Sequence, residues 1–307
     1  MTRPLRIGTR SSPLALWQAN YVQSRLGGPE AAELVLIETE GDRVRDRALS
    51  AIGGLGLFTK EIQHALLEDR VDIAVHSLKE LPNIPVEGLV LAAVPERAPL
   101  GDAFVSTRHA RFDELPHGAR IATSSLRRRS QLLHRRPDLQ IEDVRGNVET
   151  RLRKLDEQGF DATILAEAGL RRLGLERHIT EILDPTWMLP AVGQGALGLE
   201  CRANDEVTKA ALAPLTDLAT WHAVIAERAF LAALGGGCLV PIGALGRIDG
   251  ETLHLAGAVL PVDGKRRVAG TVTGPMSESR ELGERLAAQM LSEGAGELLE
   301  RPAYPLR

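Results

Sequence analysis

The sequence predicts an α/β chain in which two consecutive β-α-β series precede a small α+β region. Three observations carry this. Short apolar runs alternate with helix-period segments, the alternation restarts near residue 120, and after Pro190 two helical segments are followed by closely spaced strands. In the first series "LRIG" is a strand. It leads into "TRSSPLALWQANYVQSRL", where Ser12 is placed to cap a helix, Pro13 to begin it and Gly27–Gly28 to end it. "ELVLIET" is the second strand, "TKEIQHALLED" a helix and "VDIAVHS" the third strand, an order that implies a mostly parallel sheet.

The second series repeats the device. "RIATSSLRRRSQLLHRR" reads as strand, Ser/Thr turn and helix; "LQIEDVR" and "NVETRLRKLDEQG" add a strand and a helix; "DATILAEAGLRRL" closes it. "LPAVGQGALGLECR" is then a glycine-rich crossing segment whose apolar strand returns to an earlier domain. "DEVTKAALAPL" and "WHAVIAERAFLAAL" are helices, "IGALGRI", "LHLAGAVL" and "RRVAGTVTG" are strands, and "SRELGERLAAQMLSEG" is a final amphipathic helix. The expected division is 1–95 with 196–214, then 100–190, then 218–307.

Composition narrows the function. Over 307 residues, 44% hydrophobic and 25% charged content is that of an ordinary globular chain, and no apolar run approaches a membrane span or a secretory signal. Two cysteines make no disulfide framework, so a cytosolic location is expected. The histidines show no ligand spacing, and no metal is expected. Net charge is −4, yet residues 120–154 hold ten Lys/Arg against four Asp/Glu. A solvated basic face is the default reading, and nucleic acid the next. A net acidic chain with 3% aromatic residues argues against nucleic acid. Most of these cations are arginine, whose planar fork suits carboxylate or phosphate, so the expected ligand is a small polyanion.

The openings "RIGTRSSPL" and "RIATSSLRR" each put hydroxyl side chains and an Arg where a strand ends and a helix begins. Free backbone N–H groups and the helix dipole favour an anion there. Ligands of open α/β sheets sit beyond the carboxyl ends of the strands, so two such lobes would present an anion-lined cleft. Capping alone also explains each serine. Cys238, in "LGGGCLVPIG", follows three glycines in a loop between helix and strand. A buried, inert thiol is the ordinary role for a lone cysteine, but a core cysteine needs no glycine clearance beside it.

The run "ERAFLAALGGGCLVPIG" resembles the cofactor-attachment signature of the porphobilinogen deaminase (hydroxymethylbilane synthase) family. "IGTRSSPLALWQA", "GLFTKEI", "DIAVHSLKELP", "TSSLRRRSQL", "RGNVETRLRKLD", "AGLRRLGL" and "LPAVGQGALGLECR" match that family in order, across essentially the whole chain. The resemblance implies three domains, the first two similar to lobes of type II periplasmic binding proteins. It implies a transferase of tetrapyrrole biosynthesis that joins four porphobilinogens head to tail with loss of ammonia and releases hydroxymethylbilane. It also implies a dipyrromethane cofactor held by a thioether to Cys238, with the glycines giving the adduct its clearance. Porphobilinogen and its enzyme-bound oligomers would be the partners of a monomer that binds neither nucleic acid nor membrane. A non-catalytic, two-lobed binder of small anions is the competing function; it has no use for Cys238 or for the third domain.

By matched position the resemblance places Arg10, Arg127, Arg128, Arg145, Arg151 and Arg172 on substrate and cofactor carboxylates, assisted by Ser12, Lys79, Thr123 and Ser125. Phe58 and Gln194 match residues lining the cleft, and residues 42–57 match a mobile loop over it. Arg10, Lys79 and Glu80 form the implied catalytic set. Glu80 follows the lysine of "HSLKELP", where the family has an aspartate. Its role would be to stabilise the azafulvenium cation left when ammonia departs. The extra methylene moves the carboxylate by about 1.5 Å, and a misplacement of about 1 Å can cost ~100-fold in rate.

Overall fold

The structure, a computed structural model, describes residues 3–39, 59–236 and 240–299. Cys238, Phe58 and the loop 42–57 lie outside these residues. The chain forms two compact units, Met1–Ala98 with Gly195–Trp221 and Pro99–Gln194 with His222–Arg307.

The strands in chain order are β1 (Leu5–Thr9), β2 (Ala32–Leu36), β3 (Ile73–Ser77), β4 (Leu89–Ala93), β5 (Asp102–Val105), β6 (Arg120–Ala122), β7 (Gln140–Glu142), β8 (Ala162–Ala166), β9 (Glu181–Ile182), β10 (Leu197–Arg202), β11 (Ile242–Asp249), β12 (Thr252–Val259) and β13 (Val268–Pro275). The helices used below are α1 (Pro13–Arg25), α2 (Lys60–Leu67), α3 (Leu126–Arg135), α4 (Val148–Glu157), α5 (Glu167–Arg172), α6 (Glu206–Leu212), α7 (Leu218–Ala233) and α8 (Ser279–Ser292).

The first unit is built on a sheet of order β2-β1-β3-β10-β4. Strands β1, β2 and β3 are parallel, whereas β10 runs antiparallel to both β3 and β4. The crossing segment therefore does return to the first sheet, and its reversed direction makes that sheet mixed. The second unit holds a sheet of order β7-β6-β8-β5-β9, in which β6, β7 and β8 are parallel and β5 is antiparallel to β8 and β9. Position for position, the two sheets have the same plan. One detail marks the repeat chemically. Arg6 N–H donates to Asp72 Oδ2 at 2.9 Å while Asp72 N–H donates to Arg6 O at 2.8 Å; Arg120 and Asp161 exchange the same two bonds at 2.8 and 2.9 Å.

Helix starts follow local chemistry. Ser12 caps α1 by accepting from Ala15 N–H, with Pro13 first in the helix, and Ser125 caps α3 by accepting from Arg128 N–H. The last turn of α1 closes through left-handed Gly27, and Gly28 N–H returns to Gln23 O at 2.9 Å. The core of the first unit joins Ile7, Val22, Ile73, Leu199 and Cys201; that of the second sheet joins Phe104, Ile121, Leu132 and Ile164.

In the C-terminal region β11-β12-β13 form an antiparallel meander. Phe230 of α7 and Leu282, Leu286 and Met290 of α8 are buried in the same apolar core as Leu253 and Leu255 of β12. Gly257 lies against the Phe230 ring, where an added Cβ would sit 2.5 Å from the ring. Buried Glu227 binds the N–H groups of Gly193 and Gly246, each at 2.8 Å. Gly235 closes α7 at φ +68°, and Gly236 N–H donates to Leu231 O at 3.0 Å. A Cβ on Gly236 would meet Leu231 at 2.6 Å. These two glycines thus have packing and backbone reasons of their own, distinct from the clearance for an adduct expected above.

Candidate active site

In the first unit the site is displayed by the turn after β3. Leu78 and Leu81 are buried, Leu78 N–H donates to Ala196 O, and Leu81 N–H donates back to Leu78 O. Two apolar anchors thereby hold a single helical turn and leave Lys79 and Glu80 between them half-buried. Arg10, just past β1, puts Nη1 3.8 Å from Glu80 Oε2. Their side chains are 17% and 38% exposed, so solvent screens the pair and leaves its contribution to stability small. Arg10, Ser12, Gln18, His76, Ser77 and Glu80 border one small polar pocket, and Gln18 Nε2 donates to Ser77 Oγ at 2.8 Å.

Behind this pocket lies a buried polar group that the sequence analysis missed. Gln63 of α2 donates to both carboxylate oxygens of Glu200 at 3.2 and 2.9 Å, and Glu200 Oε2 lies 3.1 Å from His76 Nε2. The His76 contact is close but not aligned as a hydrogen bond. β3 and β10 are buried along nearly their whole length, so no alternation singles out His76 or Glu200, and only the fold shows that β10 brings Glu200 beside β3.

In the second unit the expected residues lie on the segments that follow β6, β7 and β8: Thr123 and Ser125 before α3, Arg145 before α4 and Arg151 within it, and Arg172 at the end of α5. Thr123 is buried and accepts from Ser125 N–H at 3.3 Å. Ser124 clamps the neighbouring loop, donating to Val144 O at 2.7 Å and accepting from Val144 N–H at 3.1 Å. Past Val144 the chain turns through Gly146 at φ +117°, and Asn147 caps α4. This turn holds Arg145 half-buried, with Lys154 Nζ on its carbonyl, and lets Arg151 Nε donate to Gly146 O at 2.9 Å. Burial pulls the Arg145 guanidinium below the usual arginine range, with Asp143 opposing. Arg172 ends α5 and is half-buried. The capping serines accept through oxygen and keep a hydroxyl proton to donate.

Arg127 and Arg128 are each 5% exposed, and the carboxylate they hold belongs to the chain itself. Asp102, the first residue of β5, accepts from Arg127 Nη1 at 2.6 Å and from Arg128 Nη2 and Nε at 2.7 and 3.0 Å. Gln194, wholly buried, adds its amide to Asp102 Oδ1 at 3.0 Å and to Leu100 O at 2.8 Å. Gln194, expected to line the cleft, is wholly buried, and its amide satisfies the buried Asp102 carboxylate. Burial pushes Asp102 up, but the charges and hydrogen bonds of Arg127 and Arg128 outweigh it and hold the carboxyl well below the usual range. Sequence analysis did not single out Asp102; its place in "PLGDAFVS" carries no local signal.

Two domain models of one family match this chain: "Porphobilinogen deaminase, dipyromethane cofactor binding domain" over residues 5–210 and "Porphobilinogen deaminase, C-terminal domain" over residues 221–292. The chain belongs to the porphobilinogen deaminase family. A porphobilinogen deaminase of Pelobacter propionicus is 52% identical over 301 residues, covering 97% of each chain. That of Acidithiobacillus ferrooxidans is 49% identical over 303 residues, covering 98% of each. A periplasmic substrate-binding protein of an ABC transporter from Coxiella burnetii aligns at 16% identity with a TM-score of 0.43, over 69% of this chain and 91% of that one. A likeness at that level carries no argument.

The described residues fit the family's polycarboxylate cofactor. Two guanidinium groups and one carboxylate leave the buried Asp102 cluster with an excess positive charge, and Arg127 Nε is buried without a hydrogen-bond partner. A desolvated cation with an unused donor favours an anion, and a carboxylate matches the arginine fork. Among the described residues no group of three or more His, Cys, Asp or Glu could hold a metal ion, and no helix is long and apolar enough to cross a membrane.

Proposed function

We propose that this chain is a porphobilinogen deaminase that works with the catalytic set Arg10, Lys79 and Glu80. The observation that carries the proposal is the turn at Leu78–Glu80, which sets a carboxylate facing Arg10 on the rim of a polar pocket. Cys238 would hold the dipyrromethane, which when bound would supply a nucleophilic pyrrole carbon for chain growth. Glu80 stabilises the cation that loss of ammonia leaves on porphobilinogen, by a fixed negative charge directed at the developing positive one. Arg10, on the rim of the pocket, and Lys79, next to Glu80 in the same turn, bind carboxylates of the ligand.

Arg145, Arg151 and Arg172 bind further acetate and propionate groups, with hydroxyl protons of Ser12 and Ser125 available as short-range donors. Thr123 holds the turn at Ser125, and Phe58 belongs to the proposed lining. The Nε edge of Arg127 is directed to a ligand carboxylate, while Arg128 and Gln194 brace it through Asp102. The three-domain division given above belongs to the same proposal, supported by three sheets in separate hydrogen-bonded sets. So do the monomeric state that the resemblance implies and a cytosolic location, the latter supported by a cysteine-poor composition. The test is the intact mass of protein expressed with substrate available. It should carry a dipyrromethane increment that maps to Cys238 and is absent from Cys238→Ala, and the parent should consume porphobilinogen. Lack of the increment, or its survival in Cys238→Ala, overturns the attachment.

A further inference from the structure

Asp102 is held more firmly than a structural counterion requires. Its side chain is wholly buried and takes four hydrogen bonds from Arg127, Arg128 and Gln194. Stability alone does not ask for such a cluster, since apolar residues of the same volume commonly do as well in a protein interior. The two arginines are also used differently. Arg128 binds through all three nitrogens: Nε and Nη2 on Asp102 Oδ1 and Nη1 on Ile164 O at 2.8 Å. Arg127 binds through Nη1 alone, to Asp102 Oδ2 and Leu189 O, both at 2.6 Å. Its Nε is buried without a partner, and its Nη2 makes no hydrogen bond among the described residues. Nε and Nη2 form the side-on fork of a guanidinium, the edge that takes both oxygens of a carboxylate.

We propose that Asp102 is a positioning residue: it clamps Arg127 by one end, against the fixed platform of Arg128 and Gln194, so that the Nε/Nη2 fork is presented to a ligand carboxylate. The inference rests on the reading of the chain as a porphobilinogen deaminase and adds a residue to its carboxylate-binding machinery. It separates cleanly from simple electrostatics. Removing the Asp102 charge raises the positive charge of the cluster, so a purely electrostatic role predicts equal or tighter binding of anions. Positioning predicts weaker binding.

The experiment compares the parent with Asp102→Asn, both checked for fold by circular dichroism and for cofactor loading by intact mass. In Asp102→Asn, KM for porphobilinogen or the loss of cofactor loading should worsen about tenfold, the lower end of the usual cost of losing an outer-shell partner that orients a binding group. With 15N-labelled arginine, the Arg127 Nε–H signal should shift on adding inorganic phosphate to the parent and not shift in Asp102→Asn. If Asp102→Asn fails to fold, Gln194→Met, which keeps all three charges, should show the same loss at about threefold. A folded Asp102→Asn that loads, binds and turns over like the parent, or Gln194→Met with unchanged KM and loading, overturns the proposal. If the parent itself carries no adduct and consumes no porphobilinogen, the enzyme reading fails, and the phosphate-induced Arg127 signal still decides the role of Asp102.

Discussion

Glu80 stands where the resemblance read from the sequence implies an aspartate, and its setting in the fold gives the consequence to expect. Its backbone is fixed by the buried Leu78 and Leu81 on either side, so a change of side-chain length is transmitted directly to the carboxylate. Replacing Glu80 by Asp withdraws the charge by about one C–C bond, roughly 1.5 Å, with the turn unchanged. The ion pair with Arg10 is long and screened, at 3.8 Å with Glu80 38% exposed, so little stability is at stake. The effect falls on rate. Glu80→Asp should raise turnover about 10–100-fold, the range expected when a misplaced group is brought into register. Glu80→Gln keeps the shape without the charge and should lower turnover by about 100–1,000-fold, as for loss of one electrostatic contact to a transition state. Single-turnover consumption of porphobilinogen by protein of equal cofactor loading measures both. A Glu80→Gln protein as fast as the parent removes Glu80 from the mechanism. A Glu80→Asp protein that gains nothing means that the surrounding turn is adapted to glutamate, and the displacement argument is wrong.

The remaining predictions concern parts of the fold that hold the site. Burial raises the Asp72 carboxyl, but hydrogen bonds from Arg3, Arg6 and Arg202 outweigh this and hold it far below the usual range. With both folded values depressed, Asp72 and Asp102 contribute stability that is complete above their unfolded pKa of about 4 and is lost as pH falls below it. Urea unfolding between pH 6 and pH 2 should therefore show a flatter pH slope in Asp72→Asn, and an unchanged slope would contradict the pairing. Burial, with Asp205 adding to it, pushes the Cys201 thiol up to about 11, so at pH 8 only about one part in a thousand is thiolate. Native iodoacetamide labelling should leave Cys201 unmodified, and rapid alkylation there would show the thiol to be accessible. Gly146→Ala must hold φ +117° and bring a Cβ within 2.5 Å of Thr150 Cβ, which should cost about 1–3 kcal/mol and raise KM through Arg145 and Arg151. Thermal unfolding and steady-state kinetics check this, and an alanine variant with parental Tm would refute it.

Local chemistry was legible in the linear sequence. Ser12 with Pro13, Ser125 before the arginine run, and the alternating strands after Pro241 are decided by capping and periodicity within a few residues. The repeat of "RIGT" as "RIAT" was also visible, because both strands carry the same pattern of Arg, apolar and hydroxyl residues. Membership of the family was legible from motif order along nearly the whole chain. Tertiary structure alone decided where long-range charges find partners. Asp72 meets Arg202 across 130 positions and Asp102 meets Arg127 across 25, pairings that no window of local sequence contains. It also decided that β10 lies antiparallel between β3 and β4, which sets Glu200 against His76. The physical reason is range. A cap or a strand pattern is settled by neighbours along the chain, whereas a buried charge is settled by whichever counter-charge the completed fold brings within hydrogen-bonding distance.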